Sequence, residues 1–140
     1  MLGVGSELRG DDAAGGAVIA ALEPNDNLAL FDSGTAPENF TGAIRAFAPE
    51  HLLIVDAAEI EGEPGAVRVM EEGEIAGVTF TTHMLPLTVM IDFMRKDMTF
   101  GVTVLGIRPA STEFGMDLTP AVAEAVKRVA GWIGELTVRG

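Results

Sequence analysis

The chain has 140 residues, 48% of them apolar and none of them cysteine. It is long enough to bury one core without covalent staples, and it excludes a disulfide framework, a thiolate metal site and a cysteine nucleophile. Nine basic residues against 21 acidic ones leave a net charge of −12, which opposes nucleic acid and anionic membranes and suits a basic, neutral or metal-bearing partner. There is no apolar run of about 18 residues and no basic region ahead of an apolar one at the start. A single domain over residues 1–140, in the cytoplasm, is the expectation.

Met1 to Val4 reads as the stub of a strand. The glycine-rich stretch from Gly3 to Gly10 then turns the chain and delivers Asp11 and Asp12 to the start of a helix running to Leu22. One acid suffices to cap the first turn, and Asp11 is expected to do so; Asp12 is then left over, as a solvated helix-start acid or a functional one. Leu28 to Phe31 is a second strand, stopped at Asp32-Ser33-Gly34-Thr35. Pro37 opens a helix to about Phe47. Leu52 to Val55 is a continuous apolar run, the mark of a strand buried on both faces, and it ends at Asp56.

Ala66 to Met70 alternates like a strand. The connection from Asp56 is too short for a crossover, so this strand is expected to run antiparallel to the others. Residues 71–84 read as irregular, Leu85 to about Arg95 as a Met-rich helix, and Val102 to Ile107 as the last strand. Thr119-Pro120 supplies an N-cap and first-position proline for a helix to about Leu136. The order βαβαββαβα describes an α/β domain: a three-layer α/β/α sandwich on a mixed five-stranded sheet with one antiparallel strand.

Ligand crevices in such sheets lie beyond the carboxyl ends of the strands. Asp12, Asp32, Asp56 and Arg108 all follow or end strands, so charge converges on that edge. Of the two histidines, His51 begins the strand that Asp56 ends, roughly 17 Å away at about 3.3 Å per residue, and belongs to the opposite edge. His83, just before a helix, is either a partly exposed loop residue or a ligand. Asp12, Asp56 and His83 together would make an oxygen- and nitrogen-donor site suited to nickel or zinc. Gly3-x-Gly5 lacks the third glycine of a dinucleotide site, no Walker motif occurs, and Ser6, Ser33 and Ser111 lie in no nucleophile elbow. Met84, Met90, Met94 and Met98 read as core filler rather than a cofactor box.

Gly-Val-Gly-Ser-Glu-Leu-Arg-Gly-Asp-Asp at 3–12, Asp-Ser-Gly-Thr at 32–35, Leu-Leu-Ile-Val-Asp-Ala at 52–57, Thr-His-Met-Leu-Pro-Leu at 82–87 and Gly-Met-Asp-Leu-Thr-Pro at 115–120 resemble, in this order, the hydrogenase maturation endopeptidases. The resemblance implies a phosphorylase/hydrolase-like fold and an aspartate-dependent peptidase. That peptidase removes the C-terminal extension of a nickel-iron hydrogenase large-subunit precursor once nickel is in place. By motif position it assigns metal recognition to Asp12, Asp56 and His83, and a further part in recognition or cleavage to Asp32. Nickel is then carried by the substrate rather than resident; zinc or cadmium could take its place in vitro. A metal so placed can dock the substrate and polarise a carbonyl or a water. Which of Asp12, Asp56 and Asp32 is the general base stays open.

Three positions depart from the family pattern. Ser6 stands for the usual Asn and Ser33 for the usual Gly. Only Met1 and Leu2 precede Gly3 where several apolar residues are usual, which is expected to weaken an interior strand or to mark a start upstream of Met1. The alternatives are a non-catalytic metal- or precursor-binding protein of the same fold, or a small hydrolase acting on an unrelated substrate.

Overall fold

The computed structural model describes residues 1–81 and 85–139. Its elements are β1 (Leu2–Gly3), α1 (Ala14–Ala20), β2 (Phe31–Asp32), α2 (Thr41–Phe47), β3 (His51–Glu59), β4 (Val67–Glu71), β5 (Thr79–Phe80), α3 (Leu85–Met94), β6 (Gly101–Ile107) and α4 (Pro120–Arg139), with 3-10 turns at Gly10–Ala13, Pro37–Phe40 and Glu72–Gly77. The strand order is β2-β1-β3-β6-β4. β2, β1, β3 and β6 are parallel and β4 pairs antiparallel with β6, as the short connection required. The sheet has one strand more than expected. Residues 71–84 are not wholly irregular: Glu71 and Glu74 form a capping box on the 3-10 turn, and β5 then pairs antiparallel with Ala58 and Glu59.

Alternation along the strands divides the core into two layers. Val55, Leu105 and Ile107 pack with Ala14, Val18, Val122, Ala125 and Val129 of α1 and α4. Leu52, Ile54, Val102 and Val104 pack on the other face with Ile44 of α2 and Leu87, Met90, Ile91 and Met94 of α3. Each of these large aliphatics, fully buried, contributes about 1.5–3 kcal/mol. Met90 and Met94 are core as expected, with Met98 packed against them; Met84 lies outside the described residues.

β1 has only two residues, yet it sits inside the sheet between β2 and β3. Its C-terminal continuation is fixed by Val4 N–H donating to the Val55 carbonyl at 2.9 Å. α1 lies directly over it: a Cβ on Gly15 would come within 2.4 Å of the Val55 carbonyl oxygen and 2.6 Å of that of Val4. Only glycine allows so close an approach. Because the chain moves from β1 to β2 on one side and then to β3 on the other, β1 is the point where strand order reverses, and a crevice opens there at the carboxyl edge.

Candidate active site

The first turn after β1 does not follow the simple cap expected of it. The helix opens as a 3-10 turn whose N-cap, Arg9, makes no side-chain cap bond. Asp11 instead is fully buried and turned toward the loop before α4. Its Oδ2 accepts from Ala110 N–H at 2.8 Å, Ser111 N–H at 3.1 Å and the Thr119 hydroxyl at 2.8 Å, and its Oδ1 from Thr119 N–H at 2.7 Å. Thr119 therefore spends its hydroxyl on Asp11, while its carbonyl starts α4 by accepting from Ala123 N–H. An anion satisfied by four donors is a strong fastener. It binds the Gly10–Ala13 turn to the 110–119 loop.

Asp12, expected to be left over, is buried and held. Ser6 N–H donates to its Oδ2 at 2.8 Å, and the Thr81 hydroxyl donates to its Oδ1. The turn that permits this needs Gly5, with φ of 133° and an imagined Cβ only 1.9 Å from the Asp12 carbonyl oxygen. Thr81 also joins β3 through its N–H, which donates to the Ala57 carbonyl at 3.1 Å; the hydroxyl oxygen lies 3.2 Å from the same carbonyl. One threonine thus links the Asp12 carboxylate to the residue following Asp56. Nothing in the sequence singled out Thr81; its place two residues ahead of His83 was the available signal.

Asp56 does not end its strand. β3 continues to Glu59 because β6 pairs through Ala57 and β5 takes over at Ala58. Relative to β1, whose pairing with β3 stops at Val55, Asp56 is nonetheless the first residue past the shared edge. It is fully buried, with Oδ1 accepting from Ala57 N–H at 2.8 Å. Asp32 ends β2 as expected and is exposed. Its carboxylate lies over Gly16 of α1, 3.0 to 3.1 Å from where a Cβ would sit. It looks into a solvent-open cleft of about 780 Å³ between α1, the 5–10 turn, the 32–35 loop and residues 116–118.

His83 lies outside the described residues. Among the described residues no group of three His, Cys, Asp or Glu is placed to hold a metal ion. His51 is at the opposite edge, as expected, paired with the Thr103 hydroxyl at 2.7 Å. Arg108 does not join the carboxylates: its guanidinium donates to the Ile60 carbonyl and its backbone pairs with Gly65 and Ala66. The two serine departures are accommodated. The Ser6 hydroxyl accepts from Leu8 N–H at 3.3 Å, and the buried Ser33 hydroxyl donates to the Gly3 carbonyl at 2.8 Å, tying β2 to β1.

Fold and edge together define an α/β protein with buried Asp12 and Asp56 on the carboxyl side of the β1 reversal point and Asp32 lining an open cleft beside it. The family model described as hydrogenase maturation protease matches residues 17–135. The hydrogenase 3 maturation protease of Escherichia coli K12 is 38% identical over 141 residues, covering 96% of this chain and 90% of the relative. A putative hydrogenase maturation protease of Methanocaldococcus jannaschii is 35% identical over 124 residues, covering 81% of this chain and 73% of that one. The solution structure of an endopeptidase HycI from Escherichia coli superposes with a TM-score of 0.81 at 36% identity, covering 96% and 87% of the two chains. The [NiFe] hydrogenase maturation protease HycI of Thermococcus kodakarensis superposes with a TM-score of 0.82 at 28% identity, covering 97% and 89%. The chain belongs to the hydrogenase maturation protease family.

Proposed function

We propose that this chain is the endopeptidase that removes the C-terminal extension of a nickel-iron hydrogenase large-subunit precursor in the cytoplasm after nickel insertion, with the precursor's own nickel recognised by Asp12, Asp56 and His83. The observation that carries the reading is the hold on Asp12. Two donors, one on each oxygen, fix the plane of its carboxylate, and the second of them, Thr81, ties it to β3 beside Asp56. Preorganised acids of this kind bind a cation without reorganising at the moment of recognition. Oxygen donors with an imidazole suit a borderline divalent ion. A substrate-borne nickel would make cleavage conditional on metallation.

Asp12 and Asp56 are buried, whereas Asp32 is exposed and lines the cleft. We assign metal recognition to the buried pair with His83, and to Asp32 the orientation and deprotonation of the attacking water. Water reaches Asp32 without any opening of the fold, and a carboxylate within hydrogen-bond reach of a water can act as its base.

The test is cleavage of a nickel-loaded and a nickel-free precursor by the wild type, Asp12→Ala, His83→Ala and Asp32→Asn. Only the loaded precursor should be cut. Asp12→Ala and His83→Ala should lose both cleavage and precursor binding, and Asp32→Asn should lose cleavage while still binding. Normal processing by Asp12→Ala or His83→Ala refutes the assignment. Calorimetric titration of nickel and of zinc into the chain, with Asp56→Ala as control, reports whether the three residues take up metal without the substrate.

A further inference from the structure

Two loops beside the cleft hold large apolar side chains in solvent: Leu8 is 57% exposed, Phe114 74% and Met116 55%. They are not held out by slack chain. Gly115 N–H donates to the Leu8 carbonyl at 2.7 Å, Gly10 N–H to that of Met116 at 3.1 Å, and Asp11 N–H to that of Ser111 at 2.9 Å. Beneath these bonds sit the four donated to the Asp11 carboxylate. A frame this heavily cross-bonded presents its apolar side chains as a fixed surface. Clustered apolar exposure of that kind marks a docking site.

The cleft that Leu8 and Met116 overhang, about 780 Å³, is of the size that encloses ligand groups. Its ionisable lining among the described residues is Glu7, Asp32 and Asp117, with no lysine, arginine or histidine. Its occupant must therefore offer positive charge as well as apolar bulk.

We propose that this surface seats an extended segment of the precursor polypeptide in which bulky apolar side chains lie next to lysine or arginine. The apolar side chains rest on Leu8, Phe114 and Met116, and the basic ones turn into the cleft toward Glu7 and Asp117. This rests on the reading of the substrate as a polypeptide precursor. It assigns to the paired loops a share of the affinity for that precursor, added to what the metal-recognising residues supply.

The test has two arms. In the first, Leu8→Ser, Met116→Ser and Asp117→Lys are compared with the wild type for KM and kcat on the nickel-loaded precursor, with thermal melts to establish that each folds. The loss of one buried apolar contact or one paired charge should raise KM about tenfold and leave kcat within about twofold. Exchange of the precursor's basic residues for glutamate should restore Asp117→Lys. Wild-type KM in all three folded variants overturns the proposal. In the second arm, labelled peptides alternating Leu with Lys, Leu with Glu, and Ser with Lys are titrated by fluorescence anisotropy. The Leu–Lys peptide should bind at least about tenfold more tightly than either other, and weaken in Leu8→Ser and in Asp117→Lys. Equal binding of the three peptides overturns the proposal, as does a dimer of the chain that Leu8→Ser dissolves. A wild type that cleaves no precursor while the peptide preference holds removes the functional reading and leaves the surface.

Discussion

Asp11 offers the sharpest test of how the site is held. Its carboxylate is fully buried and takes four hydrogen bonds, three on Oδ2 from Ala110, Ser111 and the Thr119 hydroxyl, and one on Oδ1 from Thr119 N–H. Bonds to a charged acceptor are worth about 1.5–3 kcal/mol each, and each buried donor left without a partner costs about 1–3 kcal/mol. Asp11→Ala removes all four. Ser111 and Thr119 are only half-buried, so water recovers part of the loss, and the expected destabilisation is about 3–5 kcal/mol. Asp11→Asn behaves differently. With the amide oxygen in the Oδ2 position three bonds survive, but the NH₂ then faces Thr119 N–H, donor against donor. The expected cost is one lost bond and one unsatisfied donor, about 1–3 kcal/mol. Urea unfolding of the three proteins should give unchanged m-values and midpoints in the order wild type, Asn, Ala. An Asn variant as stable as the wild type, or an Ala variant less than about 1 kcal/mol weaker, would refute the view that this carboxylate fastens the two loops.

Gly15→Ala and Gly16→Ala, one residue apart on α1, should act in opposite ways. A Cβ at Gly15 meets the Val55 and Val4 backbone and should cost about 3 kcal/mol or more in thermal or urea unfolding. A Cβ at Gly16 meets only the Asp32 carboxylate at 3.0 to 3.1 Å, so this variant should gain about 0.5–1 kcal/mol in helix propensity while displacing Asp32 and slowing precursor cleavage. Ala48 closes α2 in the left-handed region with φ of 54°, and Ala48→Gly should raise the unfolding midpoint by relieving about 1 kcal/mol of strain; a lowered midpoint would count against that conformation. The Glu74 carboxyl is held below its ordinary 4.5, first by the Glu71 backbone N–H and then by the Arg68 side chain. Its stabilising contribution is complete above that value and fades as pH falls through the lowered one. Glu74→Gln should flatten the pH dependence of stability below 4.5, as read from urea midpoints across that range.

The layers were legible because the apolar residues are unambiguous in period. Leu52 to Val55 could only be a strand covered on both faces, and the short connection from Asp56 to Ala66, which includes Pro64-Gly65, could only return antiparallel. Strand ends were less legible. Asp56 reads as a terminus because a charge follows four aliphatics, yet β6 and β5 supply backbone partners that carry β3 past it to Glu59. Sequence periodicity reports the side chains and is blind to a neighbour's hydrogen bonds. The same limit explains residues 72–80, where a capping box and a two-residue strand have no apolar period to announce them.

At the site, the adjacency of Asp11 and Asp12 was visible but the division of labour between them was not. Local rules place an acid at a helix start on that helix's own N–H groups. Here the open valence of the 110–119 loop, 99 to 108 residues along the chain, competes for Asp11 and wins. The first turn then forms as a 3-10 segment without a side-chain cap, and the next acid is swung toward Thr81 and the strand edge. The doublet is therefore one device with two ends. Asp11 fastens the loop that carries Met116 and Asp117 into the cleft wall, and Asp12 presents a carboxylate beside β3. A substitution at the first acid should consequently disturb cleft wall and carboxylate together, whereas one at the second should leave the wall in place.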